Sequence, residues 1–143
     1  MEKIIKTVLG SIALLLLLSS CVDRATTSHY DYFNDSGYNI VFEEYLGDNL
    51  VKSYQIPNGE SMRLSYARLG DVNRPSFASN IIKIIFNKER VLTYGADSGN
   101  YGIFQNDCYA EFSTNDKWTR ILMWTFTPEH YEMAVPIEKE GEE

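Results

Sequence analysis

The chain contains few cysteines, histidines and basic residues. Its 143 residues include two Cys and two His, and 13 Lys and Arg against 20 Asp and Glu. His29 and His130 are far apart and lack paired ligand spacing, which argues against a metal site built on imidazole. The acidic balance argues against nucleic-acid binding, because that requires Lys and Arg to neutralise phosphates. We therefore expect no metal, no cofactor and no nucleic-acid partner.

A long apolar run is also missing. The one extended apolar stretch runs from about residue 8 to residue 18, interrupted by Gly10 and Ser11. A membrane-spanning helix needs roughly 20 apolar residues, whereas the apolar part of a secretory signal needs about 7–15. Because a short charged segment precedes it, the pattern predicts that residues 1–20 are a signal peptide.

The sequence after this stretch, Leu18-Ser19-Ser20-Cys21, resembles the lipobox of bacterial lipoproteins. The resemblance implies cleavage before Cys21, a thioether-linked diacylglycerol on its sulfur and acylation of the new N-terminus. The alternative is an ordinary secreted protein in which this cysteine occurs by chance. Two or more acyl chains would hold the protein stably on a bilayer, at about 0.8 kcal/mol per buried methylene.

If Cys21 is lipidated, Cys108 is the remaining cysteine and no intramolecular disulfide can form. Cys108, Ala110 and Phe112 alternate in sequence, as residues on one strand face do. We therefore predict that Cys108 is a small buried apolar residue rather than a nucleophile.

The remaining chain divides into a polar tether (21–28), one domain (29–137) and an acidic tail (138–143). Alternating apolar and polar residues rich in Val, Ile, Tyr, Phe and Thr indicate strands separated by turns. The pattern predicts a small, mainly antiparallel β-sandwich of seven or eight strands with a short C-terminal helix. The predicted strands are 38–46, 49–56, 60–66, 80–86, 90–94, 108–112 and 117–126, with 28–33 as an eighth.

Short turn sequences at 46–49, 57–59 and 87–89 predict three hairpins. Strand faces predict the core, which comprises Leu50, Tyr54, Ile56, Met62, Leu64, Tyr66, Ile82, Ile84 and Phe86. The segment 117–126 is apolar on both faces, with Ile121 and Met123 opposite Trp118, Leu122, Trp124 and Phe126, so it should be central or covered. A helix at 128–134, with Thr127 as N-cap and Pro128 first, could be that cover, with Tyr131 and Ala134 or Val135 packing on the sheet.

Taken together, the lipobox, the tether, "NDSGYNIVF", "YQIPNGES", "IIKIIFNKERVLTY" and "YAEF…WTFTPEHYEMA" resemble the small lipoproteins of Bacteroidota. The resemblance implies a compact β-sandwich-like domain and export to the outer membrane. Whether the domain faces the periplasm or the exterior stays open. The resemblance supplies no catalytic residues.

Candidate catalytic and metal sites are weak. Glu43 and Glu44 are adjacent on a strand and point to opposite faces, so we expect one solvent-facing charge and one edge charge rather than an acid–base pair. His130 is expected to be an exposed helix residue. The segment 95–102 is glycine-rich but lacks the following helix of a phosphate-binding loop. A calcium site using Asp97 and Asn100 is a minor alternative.

Two classes of function remain, with a hydrolase as a remote third. The first is a membrane-anchored, non-catalytic binding or accessory module in the cell envelope, with a protein or glycan partner. The second is a carbohydrate-binding module, which would need an exposed coplanar pair or row among Tyr94, Tyr101, Phe104, Tyr109 and Trp118.

Three connections stand out as docking sites: 67–80, 95–106 and the turn 34–37. The candidate partner-binding residues are Arg68, Arg74, Phe77, Tyr101 and Phe104, because arginine and aromatic residues are enriched at interfaces. The alternative is that Phe77 and Phe104 plug the ends of the sandwich.

Overall fold

The computed structural model describes residues 25–69, 75–95 and 98–138. The predicted signal peptide, Cys21, Arg74, Asp97 and residues 139–143 of the tail lie outside these ranges. In chain order the described strands are β1 (Ala25–Asn34), β2 (Ile40–Leu46), β3 (Asn49–Ile56), β4 (Ser61–Leu69), β5 (Ile81–Phe86), β6 (Arg90–Gly95), β7 (Ala110–Phe112), β8 (Thr119–Phe126) and β9 (Val135–Pro136), and a short helix, α1 (Pro128–Met133), precedes β9.

The strands form two facing sheets, which confirms the predicted small all-β sandwich. Sheet 1 has the order β4-β1-β8-β7 and sheet 2 the order β3-β2-β5-β6-β9. The pairs are antiparallel except for β1 and β8, which run parallel over Thr27–Asn34 and Thr119–Phe126. β1 begins at Ala25, so the last four residues of the predicted tether belong to a strand.

Two of the three predicted hairpins are confirmed. Gly47 and Asp48 join β2 to β3, and Asn87 and Lys88 join β5 to β6 with positive φ at both residues. That pair of dihedrals suits the right-handed twist of the strands. The third prediction is wrong, because residues 57–59 connect β3 of sheet 2 to β4 of sheet 1 and these strands do not pair.

Alternation places one side of each inner strand in the core. Ile82, Ile84 and Phe86 of β5 are fully buried, as is Ile56 of β3. Half-buried side chains pack against this core as predicted, namely Tyr54, Met62, Leu64 and Tyr66. The prediction that Leu50 lies in the core is wrong, since Leu50 is 52% exposed. It lies near the start of edge strand β3, where a bulge in the β2–β3 pairing places it opposite Tyr45.

The doubly apolar strand is central, since β8 lies between β1 and β7. The predicted helix is confirmed as α1, with Thr127 before it and Pro128 first. We expected this helix to cover the outer face of β8, and that expectation is wrong. Instead Tyr131 packs on Phe86 of sheet 2, with ring centroids 5.7 Å apart, and closes one end of the sandwich. Ala134 is buried, whereas Val135 is exposed.

The two ends of the sandwich differ. We call one of them the loop end. There β1 begins at Ala25, β2 and β6 end, and residues 75–80 and 98–109 close the gap between the sheets. The far end carries the turn 34–37, the β5–β6 hairpin and α1. None of the helices among the described residues has the length and apolar character needed to cross a membrane.

Candidate functional site at the loop end

Phe77 and Phe104 meet at the loop end although 27 positions separate them in sequence. Their rings contact edge to face, with centroids 5.4 Å apart. Phe77 also packs against Tyr32 and Phe42, at centroid distances of 6.4 and 6.1 Å. Both phenylalanines are half-buried against the core. These contacts favour the plugging alternative for this pair.

The other docking candidates at this end are more accessible. Tyr101 is 46% exposed, and it precedes the 3-10 turn Gly102–Phe104. Arg68 is exposed near the end of β4, opposite Thr26 of β1. Arg74 lies outside the described residues. The structure therefore leaves Arg68 and Tyr101 exposed, whereas Phe77 and Phe104 are packed against the core.

Glu44 is the chemically most unusual group at the loop end. It lies on β2 with Ile40 and Phe42 on the inner face and is 1% exposed. Its Oε2 accepts a long hydrogen bond from Ser79 Oγ at 3.5 Å, while Oε1 has no hydrogen-bond partner among the described residues. Burial raises the pKa of this carboxyl, partly offset by Lys52 and Ser79. The prediction that both glutamates are surface charges is wrong for Glu44.

Its neighbour Glu43 faces outward, as strand alternation requires. Tyr45 OH donates to Glu43 Oε2 at 2.7 Å. That hydrogen bond raises the pKa of Tyr45 to about 12. The two glutamates therefore lie in different environments and cannot act together on one bond.

Buried tyrosines link the sheets to the segment 98–109. Tyr30 OH donates to Asn106 Oδ1 at 2.9 Å, and Tyr109 OH donates to the carbonyl oxygen of Ile103 at 2.6 Å. Tyr32 and Tyr109 share a hydroxyl contact of 3.1 Å. Burial raises the pKa of Tyr32, Tyr30 and Tyr109. These hydroxyls stay protonated at neutral pH, which suits them to structural hydrogen bonds rather than to proton transfer.

Cys108 does not have the predicted environment. It ends the 3-10 turn Asn106–Cys108 and is exposed, while β7 begins two residues later at Ala110. Phe112 on β7 is exposed as well. The alternation that we interpreted as one strand face extends across a turn, and a 3-10 turn breaks the two-residue period. Cys108 is thus an accessible thiol, not a core residue.

The aromatic residues considered for sugar binding do not form an exposed row. Tyr94 and Tyr109 are buried, and Phe104 is packed against the core. Tyr94 and Trp124 contact each other edge to face at 5.8 Å, and within the described part of the chain the Tyr94 hydroxyl and Trp124 Nε1 have no hydrogen-bond partner. Trp118 is half-buried beneath Lys117, whose Nζ lies 5.0 Å from the ring centroid. This arrangement offers Tyr101 alone as a well-exposed ring of the five.

At the far end, His130 is not the exposed helix residue that the sequence predicted. It is half-buried against Trp124 and Phe126, with ring centroids 5.9 Å from each, and burial lowers its pKa. The backbone N–H of Thr127 donates to its Nδ1 at 3.0 Å. His130 therefore closes the first turn of α1 as a cap.

The turn 34–37 is likewise structural. The Asn34 side chain is buried, and its Nδ2 donates to the carbonyl oxygens of Tyr38 and Ile56 at 2.7 and 2.8 Å. Its Oδ1 accepts from Ser36 Oγ at 2.7 Å. The side chain thereby joins the end of β1 to the start of β2 and the end of β3, which accounts for the turn without a partner.

No group of three or more His, Cys, Asp or Glu side chains that could hold a metal ion occurs among residues 25–69, 75–95 and 98–138. Asn100 forms a backbone bridge with Gly95, whereas Asp97 lies outside these ranges. The calcium alternative is therefore not tested by the geometry. His29 Nδ1 contacts Ser65 Oγ at 2.7 Å on the outer face of sheet 1.

Sequence reasoning placed Glu44 at the surface, although a signal for its burial was present. Glu44 has the same strand parity as Ile40 and Phe42, so it had to face inward once those two residues did. Asn106 was also missed, and no sequence pattern marks it. A search of protein-family models, of curated proteins and of solved structures finds no match to this chain.

Proposed function

We propose that this protein is a membrane-anchored lipoprotein of the bacterial cell envelope, whose β-sandwich serves as a non-catalytic binding or accessory module at the outer membrane. Residues 1–20 would be removed and Cys21 would carry the lipid. The observation that carries the proposal is the Leu18-Ser19-Ser20-Cys21 motif directly after a signal-like segment. β1 begins four residues after that cysteine, so the proposed anchor adjoins a folded domain.

The proposed anchor would hold the protein through the summed burial of acyl-chain methylenes in the bilayer. One acyl chain binds a membrane only marginally, whereas two or more chains at about 0.8 kcal/mol per buried methylene hold a protein stably. A diacylglycerol on the sulfur together with an N-terminal acyl group meets that requirement. The anchor would make the bilayer one partner of the protein.

A binding role for the domain is supported by the exposure of Arg68 and Tyr101 beside a well-packed core. Arginine and tyrosine are typical of interface centres. The burial of Tyr94 and Tyr109 removes support from a carbohydrate-binding module that stacks sugars on a row of aromatic rings. A protein partner is therefore the first to test, and a glycan the second.

Metabolic labelling with an acyl-chain analogue tests the anchor. We expect the wild type to incorporate label and to fractionate with membranes, and Cys21→Ala to do neither. Cys108→Ala is the matched control, because it removes the other cysteine and should label like the wild type. Equal labelling of wild type and Cys21→Ala, or labelling of neither, would contradict the proposal.

Pull-down and a glycan array with the soluble domain, residues 22–143, test the binding role. Tyr101→Ala should reduce capture of a protein or glycan ligand, whereas Met133→Ala at the far end should not. Capture that is the same for both variants would remove Tyr101 from the docking surface.

A further inference from the structure

Because β1 begins four residues after Cys21, the proposed lipid on Cys21 would lie close to the loop end of the domain. This step rests on the proposed lipidation of Cys21. Four residues span at most about 14 Å, even when fully extended. β1 alone, with ten residues, is about 33 Å long. The domain therefore cannot turn its far end to the bilayer while the loop end stays away from it.

The side chains around Ala25 suit a bilayer surface. Leu69 pairs with Ala25 in the β1–β4 ladder and is 67% exposed. The carbonyl oxygen of Trp118 accepts a hydrogen bond of 2.8 Å from the N–H of Thr27, which fixes Trp118 beside the start of β1. An exposed leucine and a half-exposed tryptophan thus flank the point where the chain leaves for Cys21.

Two cations accompany these apolar groups. Arg68 is next to Leu69 and Lys117 is next to Trp118, and both are exposed. Tryptophan is enriched at the membrane–water interface, and a Lys or Arg near an anionic membrane surface contributes about 1 kcal/mol. Among the described residues, two carboxylates of the same strand region are engaged within the fold: Asp116 accepts from Trp118 N and Thr119 Oγ1, and Glu111 pairs with Arg120.

The far end has the opposite character. Two basic residues, Lys88 and Arg90, face six acidic ones there, which are Asp35, Glu60, Glu89, Glu129, Glu132 and Glu138. Anionic headgroups would repel such a surface at distances within the Debye length, about 8 Å at physiological ionic strength. Within the described ranges, the loop end carries Arg68 and Lys117 against Asp48, Asp107 and Asp116, so it is the less acidic of the two ends. The short chain between Cys21 and β1 favours the same end.

We propose that the surface formed by Arg68, Leu69, Lys117 and Trp118 docks on the lipid headgroups of the membrane that holds Cys21. Leu69 and Trp118 enter the interfacial region, and the two cations contact lipid phosphates.

Tryptophan fluorescence of the full-length lipidated protein tests this. The protein is reconstituted into vesicles of phosphatidylethanolamine and phosphatidylglycerol, with or without bromine on the acyl chains near the headgroup. We expect brominated lipid to remove most of the Trp118 emission in the wild type. The difference between the two lipids should disappear in Trp118→Phe, because Trp124 lies in the core.

The control moves the reporter to the far end. Met133 is 61% exposed on α1, and Met133→Trp in the Trp118→Phe background should stay unquenched. A second pair compares exposed lysines. Lys117→Gln should lower the docked-to-undocked ratio about fivefold, which corresponds to roughly 1 kcal/mol, and Lys88→Gln should leave it unchanged.

The outcomes separate this proposal from the anchor. If the protein carries acyl label and floats with the vesicles but Trp118 is not quenched, or Met133→Trp is quenched equally, docking is wrong and the anchor stands. If the protein carries no label and does not float, the anchor and the docking both fail.

Discussion

The Phe77–Phe104 contact yields the sharpest stability prediction. Truncating a buried phenylalanine to alanine costs about 3–5 kcal/mol, and because both rings are half-buried we expect each variant to lie near the lower end. A loss of about 3 kcal/mol from either site is a large fraction of the 5–15 kcal/mol typical of a domain. Urea denaturation of the soluble domain, monitored by circular dichroism, measures it.

A double-mutant cycle isolates the contact itself. Phe77→Leu and Phe104→Leu keep apolar volume and remove the edge-to-face pair, so the double variant should remain folded. An aromatic pair at this geometry contributes about 0.5–1.5 kcal/mol beyond area burial. We therefore expect the two leucine substitutions to be non-additive by about that amount.

The control is Tyr101→Ala, which removes an exposed ring from the same segment. Surface substitutions of this kind usually change stability by less than about 0.5 kcal/mol. If Phe77→Ala and Phe104→Ala were both as mild as Tyr101→Ala, the plug reasoning would be refuted and the two rings would return to the docking surface. If both cost about 3 kcal/mol, a docking surface loses them as anchors.

Three further predictions follow from single residues. The raised pKa of Glu44 means that the folded state binds a proton more tightly than the unfolded state, so the contribution of Glu44 to stability falls as pH rises above 4.5. Glu44→Gln should therefore be more favourable relative to the wild type at pH 7 than at pH 4, as measured by urea denaturation. A stability difference between variant and wild type that is equal at the two pH values would mean that Glu44 is solvated. In Cys21→Ala, Cys108 should react with iodoacetamide in the native state, and a requirement for denaturant would contradict its exposure. Gly95→Ala should destabilise the domain by about 1–3 kcal/mol, because φ is +153° and the new Cβ would lie 2.9 Å from the carbonyl oxygen of Asn80. Gly99→Ala shares the positive φ, at +68°, but its added Cβ meets no atom of the described residues, so it isolates the clash. Equal melting temperatures for the two variants would show that the clash is absent.

Strand alternation and turn chemistry sufficed to predict the sandwich, because both are local signals. Ile82, Ile84 and Phe86 alternate with polar or less buried positions, and β5 has the predicted burial. The hairpin at residues 87–88 was equally local. In contrast, residues 57–59 have turn chemistry but join different sheets, and a turn sequence does not specify which strands pair.

Burial near strand ends could not be predicted in the same way. Leu50 and Glu44 have the reverse of their predicted environments, since the leucine is exposed and the glutamate is buried. A register shift after Glu44 pairs Leu50 with the outward-facing Tyr45 rather than with an inner-facing residue. The segment that carries Ser79 covers Glu44, while Leu50 lies near the start of the edge strand β3. Which end of a strand is covered depends on the paths of distant loops, and alternation carries no information about them.

The strand that follows the proposed anchor, β1, is paired on both sides, with β4 and in parallel with β8. β1 pairs with β4 over nine positions and with β8 over eight, so it is held by hydrogen bonds on both sides. An edge strand can open locally by breaking one ladder, whereas detaching β1 requires two ladders to break and exposes the buried Tyr30 and Tyr32. A pull through the proposed anchor would therefore act on a strand that is hydrogen-bonded on both sides. This placement arises from a pairing between strands separated by more than 80 residues, which no local pattern in the sequence indicates.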